Sequence, residues 1–259
     1  MADSDNQYLM RVFALLDCFT VEKPEIGVRE ISRMTGISSS TCGRLLSELR
    51  DIGVLTQNEE SRAYALGGRV TRWAGVYTAT NDLRRVAFPY MQRIYRDTNE
   101  TVTLYSCEEF DRVCVEQLES RRSVRAVEPI GTRIKIYRGS GGKSILAFRT
   151  PEEIERVLTY AAEQQDDTEI DPLRLELSEI RGKGFAVSHG EWQADCSGIA
   201  SPIFSADGTP IGSVSISGPT QRFHDAEKLN DYAALLRENV SSISRELGYV
   251  KSEIQNNDH

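Results

Sequence analysis

Residues 28–53 leave the chain little local freedom. Val28, Ile31 and Met34 recur at helical spacing, and Gly36 stands where a helix can end with a positive φ. Ile37 is an apolar plug, and Ser38 can cap a following helix on which Cys42, Leu45, Leu46 and Leu49 form one stripe, closed by Gly53. Two short amphipathic helices joined by a Gly-containing turn cannot bury both stripes alone. Residues 8–19 supply a third, with Leu9, Val12, Phe13, Leu16 and Phe19 near helical spacing. Val54–Gln57 and Ala63–Leu66 then read as strands around the polar turn Asn58-Glu59-Glu60-Ser61. Three helices and a two-stranded hairpin in about 60 residues make a winged helix-turn-helix. The same tri-helical unit also serves as a plain packing module, so the pattern permits nucleic-acid binding without demanding it.

The remainder has a different rhythm. Residues 68–82 can form a connecting helix with Val70, Trp73, Ala74 and Tyr77 on one face, and Met91–Thr98 ends a helix after Pro89. Thr101–Ser106 and Arg112–Leu118 alternate as strands. Helices are expected at Gly141–Phe148, Pro151–Glu163 and Pro172–Arg181, and a short strand at Phe185–Ser188. Ile199–Ser205 and Ile211–Ser217 flank the turn Ala206-Asp207-Gly208, a hairpin signal, and His224–Leu247 is a closing amphipathic helix. The expected fold class is α+β: a winged helix-turn-helix at 1–67, a linker helix at 68–84, an antiparallel sheet with flanking helices at 85–250, and a polar, frayed tail at 251–259.

Composition narrows the function classes. No basic segment followed by an apolar run opens the chain, and no apolar run approaches the roughly 20 residues of a membrane helix, so a cytoplasmic protein without membrane partners is expected. The five cysteines are scattered with no C-x-x-C pair, and the three histidines are far apart, which argues against disulfides, a metal site or a metal cofactor. The net charge of −8 opposes non-specific coating of nucleic acid, which phosphate neutralisation drives. Locally the sign reverses: residues 29–50 hold four basic against two acidic side chains, and residues 67–85 hold four against one.

Ser38, Ser39, Ser40, Thr41 and Arg44 occupy the start of the third helix. Free N–H groups there and short hydroxyls suit a phosphate, and Arg44 carries the fork that can read guanine or grip phosphate. The alternative is that the serines only cap and Arg44 is solvated. Gly43 costs a helix roughly 1 kcal/mol relative to Ala, which suggests close approach to another backbone or to DNA. Arg62 on the wing can touch a flanking phosphate or simply face solvent. Gly142-Lys143-Ser144 invites a phosphate-loop reading, but Tyr137 stands where that motif needs glycine. Free amides at Ser140 and Gly141 can instead hold a carboxylate, unless the glycines only turn the chain. Ser215 and Ser217 face one side of a strand and Val214 and Ile216 the other. An enzyme would need a base near those serines; His189, His224 and Glu191 are candidates, but no G-x-S-x-G elbow or triad spacing exists.

These motifs in this order are similar to one family. Ile37–Leu55, the wing ending Tyr64-Ala65-Leu66-Gly67, the run Gly139–Ser144, Ile199–Ile203 and Val214–Pro219 together resemble the IclR family of bacterial transcription regulators, over about residues 6–250. The resemblance implies a GAF-like effector domain, a dimer or dimer of dimers, a palindromic double-stranded DNA operator, and a small carboxylate or aromatic effector. It implies no cofactor and no enzyme activity, and repression more often than activation. It also implies that the face carrying Ser215 and Ser217 lines the effector pocket, and that Glu191 sits at the family's acidic position, where it could accept a hydroxyl from the ligand or be only a surface charge. Two positions depart from the pattern: Gly43 replaces a bulkier residue on the reading helix, and Asp195 replaces a glycine before the penultimate strand. The rivals are an activator, an enzyme built on the GAF-like domain, or a ligand-blind architectural protein.

Overall fold

The computed structural model describes residues 2–20, 23–80, 82–164 and 168–250, and its chain divides into two compact units between residues 80 and 81. The tail at 251–259 and the side chain of Tyr77 lie outside the described residues.

In the first unit α1 (Ala2–Leu16), α2 (Val28–Thr35) and α3 (Ser39–Asp51) surround a core of Leu15, Ile31, Cys42, Leu45, Leu46 and Leu49. Gly36 ends α2 at φ +69, the left-handed conformation a side chain resists, and Ser38 caps α3. Strands β1 (Glu25–Ile26), β2 (Leu55–Gln57) and β3 (Tyr64–Leu66) pair antiparallel in the order β1-β3-β2, so the wing has a third strand that a two-residue segment could not announce. Then comes α4 (Gly68–Thr80). Three expected core positions are corrected: Leu9, Phe13 and Met34 are exposed, while Leu15 and Cys18 are buried. On α1 the inward stripe runs through Val12, Leu15 and Leu16, leaving Leu9 and Phe13 on an adjoining stripe.

The second unit opens with α5 (Asp82–Thr98), which runs through Pro89. The proline removes one backbone donor, but Val86, Ala87, Met91 and Ile94 are buried along the helix, and that burial holds it together. Strands β4 (Thr101–Glu108), β5 (Asp111–Leu118) and β6 (Arg133–Lys135) precede α6 (Gly139–Leu146), α7 (Pro151–Glu163) and α8 (Ile170–Lys183). After these come β7 (Ala186–His189), β8 (Cys196–Phe204), β9 (Pro210–Pro219) and α9 (Ala226–Glu246). All six strands pair antiparallel in the order β6-β5-β4-β9-β8-β7. One sheet face meets α5 and α9 through Val102, Leu104, Ile199, Ile203, Val214 and Ile216. Across the other lies α6, over β7, β8 and β9, backed by α7 and α8.

Strict alternation along β5 does not hold. Leu104 pairs with Glu116 and Tyr105 with Cys114, so Val115 is an extra residue in a bulge. Before it, Arg112 and Cys114 share the α6 face; after it, Gln117 takes that face and Glu116 turns to the other, where it pairs with Arg84 of α5 at 2.5 Å.

Candidate functional site

The start of α3 is assembled as its sequence suggests. Ser38 Oγ accepts from Thr41 N–H at 3.4 Å and lies 2.9 Å from Thr41 Oγ1 and 3.2 Å from Ser40 Oγ. Ser39 Oγ donates to Ser32 Oγ at 3.1 Å, tying the turn to α2. Ser38, Ser39, Ser40 and Arg44 are exposed and Thr41 half-buried, so the hydroxyls form a polar surface at the positive end of α3. Arg44 pairs with Glu48 at 3.4 Å, one turn on and itself exposed. Gly43 has nothing close within the chain: an added Cβ would meet only Val28 Cγ1, at 3.8 Å. The close approach to another backbone that its cost suggests is therefore absent within the described residues. Arg62 is exposed in the wing at φ +59, its carbonyl accepting from Gln57 Nε2 at 3.0 Å.

In the second unit a small recess, open at its mouth, lies between the α6 face of the sheet and the segment after β5. Ser140, Ser215 and Ser217 line it; Gly141 and Glu191 are not among its lining residues. Val214 and Ile216 do point into the core on the far face. Ser215 is 2% exposed and, among the described residues, its Oγ has no hydrogen-bond partner.

The amides at the start of α6 are arranged differently from expectation. Ser140 N–H donates to Ser188 Oγ at 2.9 Å, and Gly139 N–H to Glu191 Oε2 at 2.8 Å. The other oxygen of Glu191 pairs with Lys143 at 2.6 Å, so both oxygens of this carboxylate are engaged at the helix terminus. Lys143 is buried and also meets Glu176 at 2.5 Å. Gly141 is needed for close packing, because a Cβ there would sit 2.7 Å from both Arg112 Nη1 and Tyr105 Cε2. Of the candidate bases, His189 bonds Ser197, at 2.9 Å, rather than Ser215 or Ser217.

Sequence reasoning missed three of the recess's polar side chains. Arg112 is buried with its guanidinium 4.1 Å above the Tyr105 ring, and Tyr105 OH donates to Glu128 Oε2 at 2.8 Å. Burial raises the Glu128 carboxyl above its ordinary value, against the pull of Arg112 and the Tyr105 hydrogen bond. The available signal was a charged residue at an alternating strand position, which reads as a solvated face until both faces are known to be covered.

The comparisons with known proteins agree with this architecture. Residues 9–59 match the IclR helix-turn-helix domain, and residues 75–245 the bacterial transcriptional regulator IclR C-terminal domain. The chain is 30% identical to the HTH-type transcriptional regulator KdgR of Escherichia coli over 96% of its length and 97% of the relative's. It is likewise 30% identical to the regulator KipR of Bacillus subtilis, covering 95% and 98%. Among solved structures it resembles the Thermotoga maritima IclR with a TM-score of 0.74 at 28% identity, covering 93% and 98%. It also resembles an IclR homolog from Microbacterium hydrocarbonoxydans, complexed with 4-hydroxybenzoate, with a TM-score of 0.78 at 26% identity and the same coverage. The chain belongs to the IclR family and is a DNA-binding transcription regulator.

Proposed function

We propose that the protein is a repressor whose hold on a palindromic operator is controlled by a small carboxylate bound in the recess of the second unit. The observation that carries this reading is Ser215: a hydroxyl that is buried, unpartnered and open on a recess is a donor waiting for a ligand. Ser217 and Ser140 add neutral donors, which accept an anion without leaving a buried charge in the empty state. The relative crystallised with 4-hydroxybenzoate supports a carboxylate, and the name of another relative, the transcriptional repressor AllR of Escherichia coli, supports repression. Ser38, Ser39, Ser40, Thr41 and Arg44 meet the operator, with Arg62 of the wing on a flanking phosphate. A winged helix reads one half-site, so the active species is a homodimer or a dimer of dimers. Ligand can shift operator affinity only through unequal affinity for two arrangements of the protein.

The test is a gel-shift titration with and without carboxylates, on the wild type and on the double variant Ser215→Ala, Ser217→Ala. The variant should keep basal operator affinity and lose the response. An effector response surviving at normal potency places the ligand elsewhere.

A further inference from the structure

We propose that Arg112 and Glu128 determine which carboxylate this regulator accepts: Arg112 takes the carboxylate, and Glu128 takes an O–H or N–H donor carried on the same small molecule. This rests on the reading of the recess as a carboxylate site.

Arg112 is 3% exposed, lines the recess, and among the described residues its side chain makes no hydrogen bond or ion pair. Its guanidinium stands at the first turn of α6: an ideal Cβ on Gly139 would lie 3.2 Å from Nη2, and one on Gly141 2.7 Å from Nη1. A cation held at the positive end of a helix is repelled by it, and an anion between them removes the repulsion. Glu128 is buried on the same recess, with Oε2 held by Tyr105 and, among the described residues, Oε1 without a partner. A structural pair in this chain looks different. Glu100, fully buried, receives two hydrogen bonds of 2.7 Å from Arg222. Arg112 and Glu128, bridged only by the Tyr105 ring, keep their pairing capacity for something else. A carboxylate with a donor at its other end completes both; an unsubstituted acid completes one and leaves Glu128 Oε1 orphaned.

The test titrates two matched sets against the full-length protein, read by Trp192 fluorescence at the mouth of the recess: propionate, lactate and alanine; benzoate, 4-hydroxybenzoate and 4-aminobenzoate. In the set that fits, the donor-bearing acids should bind at least about tenfold tighter than the parent acid. R112M should weaken every member by at least about tenfold, and E128Q should remove most of the donor advantage, most of all for the charged ammonium of alanine. Parent acids that bind as tightly as their donor-bearing partners overturn the proposal. If R112M binds normally while the Ser215, Ser217 double variant does not, the recess reading stands and this assignment falls. If the wild type binds none of the six at about 10 mM, both fall. A second measurement needs no ligand. The double variant R112M/E128Q should melt at or above the wild type, since it replaces two unsatisfied buried charges with neutral groups. A melting point lower by more than about 5 °C marks a structural pair and also overturns the proposal.

Discussion

Lys143 and Glu191 form an ion pair of 2.6 Å across the first turns of α6, with the lysine almost fully buried and the glutamate also receiving the Gly139 N–H. The lysine of a Gly-Lys-Ser run is here a tie between a helix and its flanking segment rather than a phosphate ligand. Lys143→Ala should cost about 2 kcal/mol of stability by urea denaturation. That is less than a fully buried pair would lose, because Glu176 and Glu191 are about a third exposed and can rehydrate. A midpoint unchanged from the wild type would show that the tie contributes nothing.

Arg44→Ala should weaken operator binding by about 1–3 kcal/mol and leave carboxylate binding untouched. The exposed Arg44–Glu48 pair contributes little to folding, so the melting point should stay within about 1 °C. Equal operator affinity at fixed salt would remove α3 from its reading role.

Gly43→Ala separates stability from recognition. The new methyl fits, 3.8 Å from Val28 Cγ1, so the helix should gain roughly 1 kcal/mol. If the absent side chain is there to let DNA come close, operator affinity should fall in the same variant. A gain in both would mean the glycine serves no approach.

Glu128 gives the fold a pH signature. Its carboxyl is raised above about 4.5 by burial, with Arg112 and the Tyr105 hydroxyl opposing, and with the Cys114 and Cys196 thiols, themselves pushed up by burial, neutral nearby. A raised acid favours the protonated form in the folded state. The stability it contributes is therefore present below its unfolded value and lost as pH rises through the folded value. E128Q keeps the neutral form at every pH, so its melting point should gain on the wild type as pH climbs from about 4.5. A difference that does not vary with pH would contradict this.

Trp73 and Val76 of α4 are exposed, as are Leu9, Met10 and Phe13 of α1. Single exposed apolar residues need no explanation, but several of them on two helices of one small unit favour self-association. Trp73→Glu should shift the protein toward monomer in light scattering at about micromolar concentration and weaken operator binding with it. A wild type already monomeric there would remove the dimer from the scheme.

Much of the fold was legible because its elements are punctuated. Gly36 with Ser38, the Thr150–Pro151 start of α7 and the Asp207-Gly208 turn each impose a local geometry that nothing distant overrides. Ser215 and Ser217 were legible as a pair because a period of two separates faces. The rest was not, for physical reasons. β1 and β6 are two and three residues long and exist only through their partners. Leu9 and Phe13 are apolar at helical spacing yet exposed, and spacing cannot say which stripe a neighbour will cover. Nothing in the sequence separates Arg112 and Glu128 from surface charges, since a single strand or loop does not reveal what closes over it.

The bulge at Val115 fixes more than the shape of β5. It sends Gln117, whose amide donates to Thr103 at 3.1 Å, into the recess and consigns the carboxylate of Glu116 to the opposite side of the sheet. Flattening the bulge with Val115 retained would exchange the two, whereas deleting Val115 would leave Cys114 opposite Tyr105, Glu116 opposite Leu104 and Gln117 opposite Thr103 in a regular ladder. In a lineage of such regulators, the strand can therefore lose a codon at this point without turning either side chain to the other face. The bulge thus acts as slack in the ladder: chain length can vary there while the recess keeps the same lining.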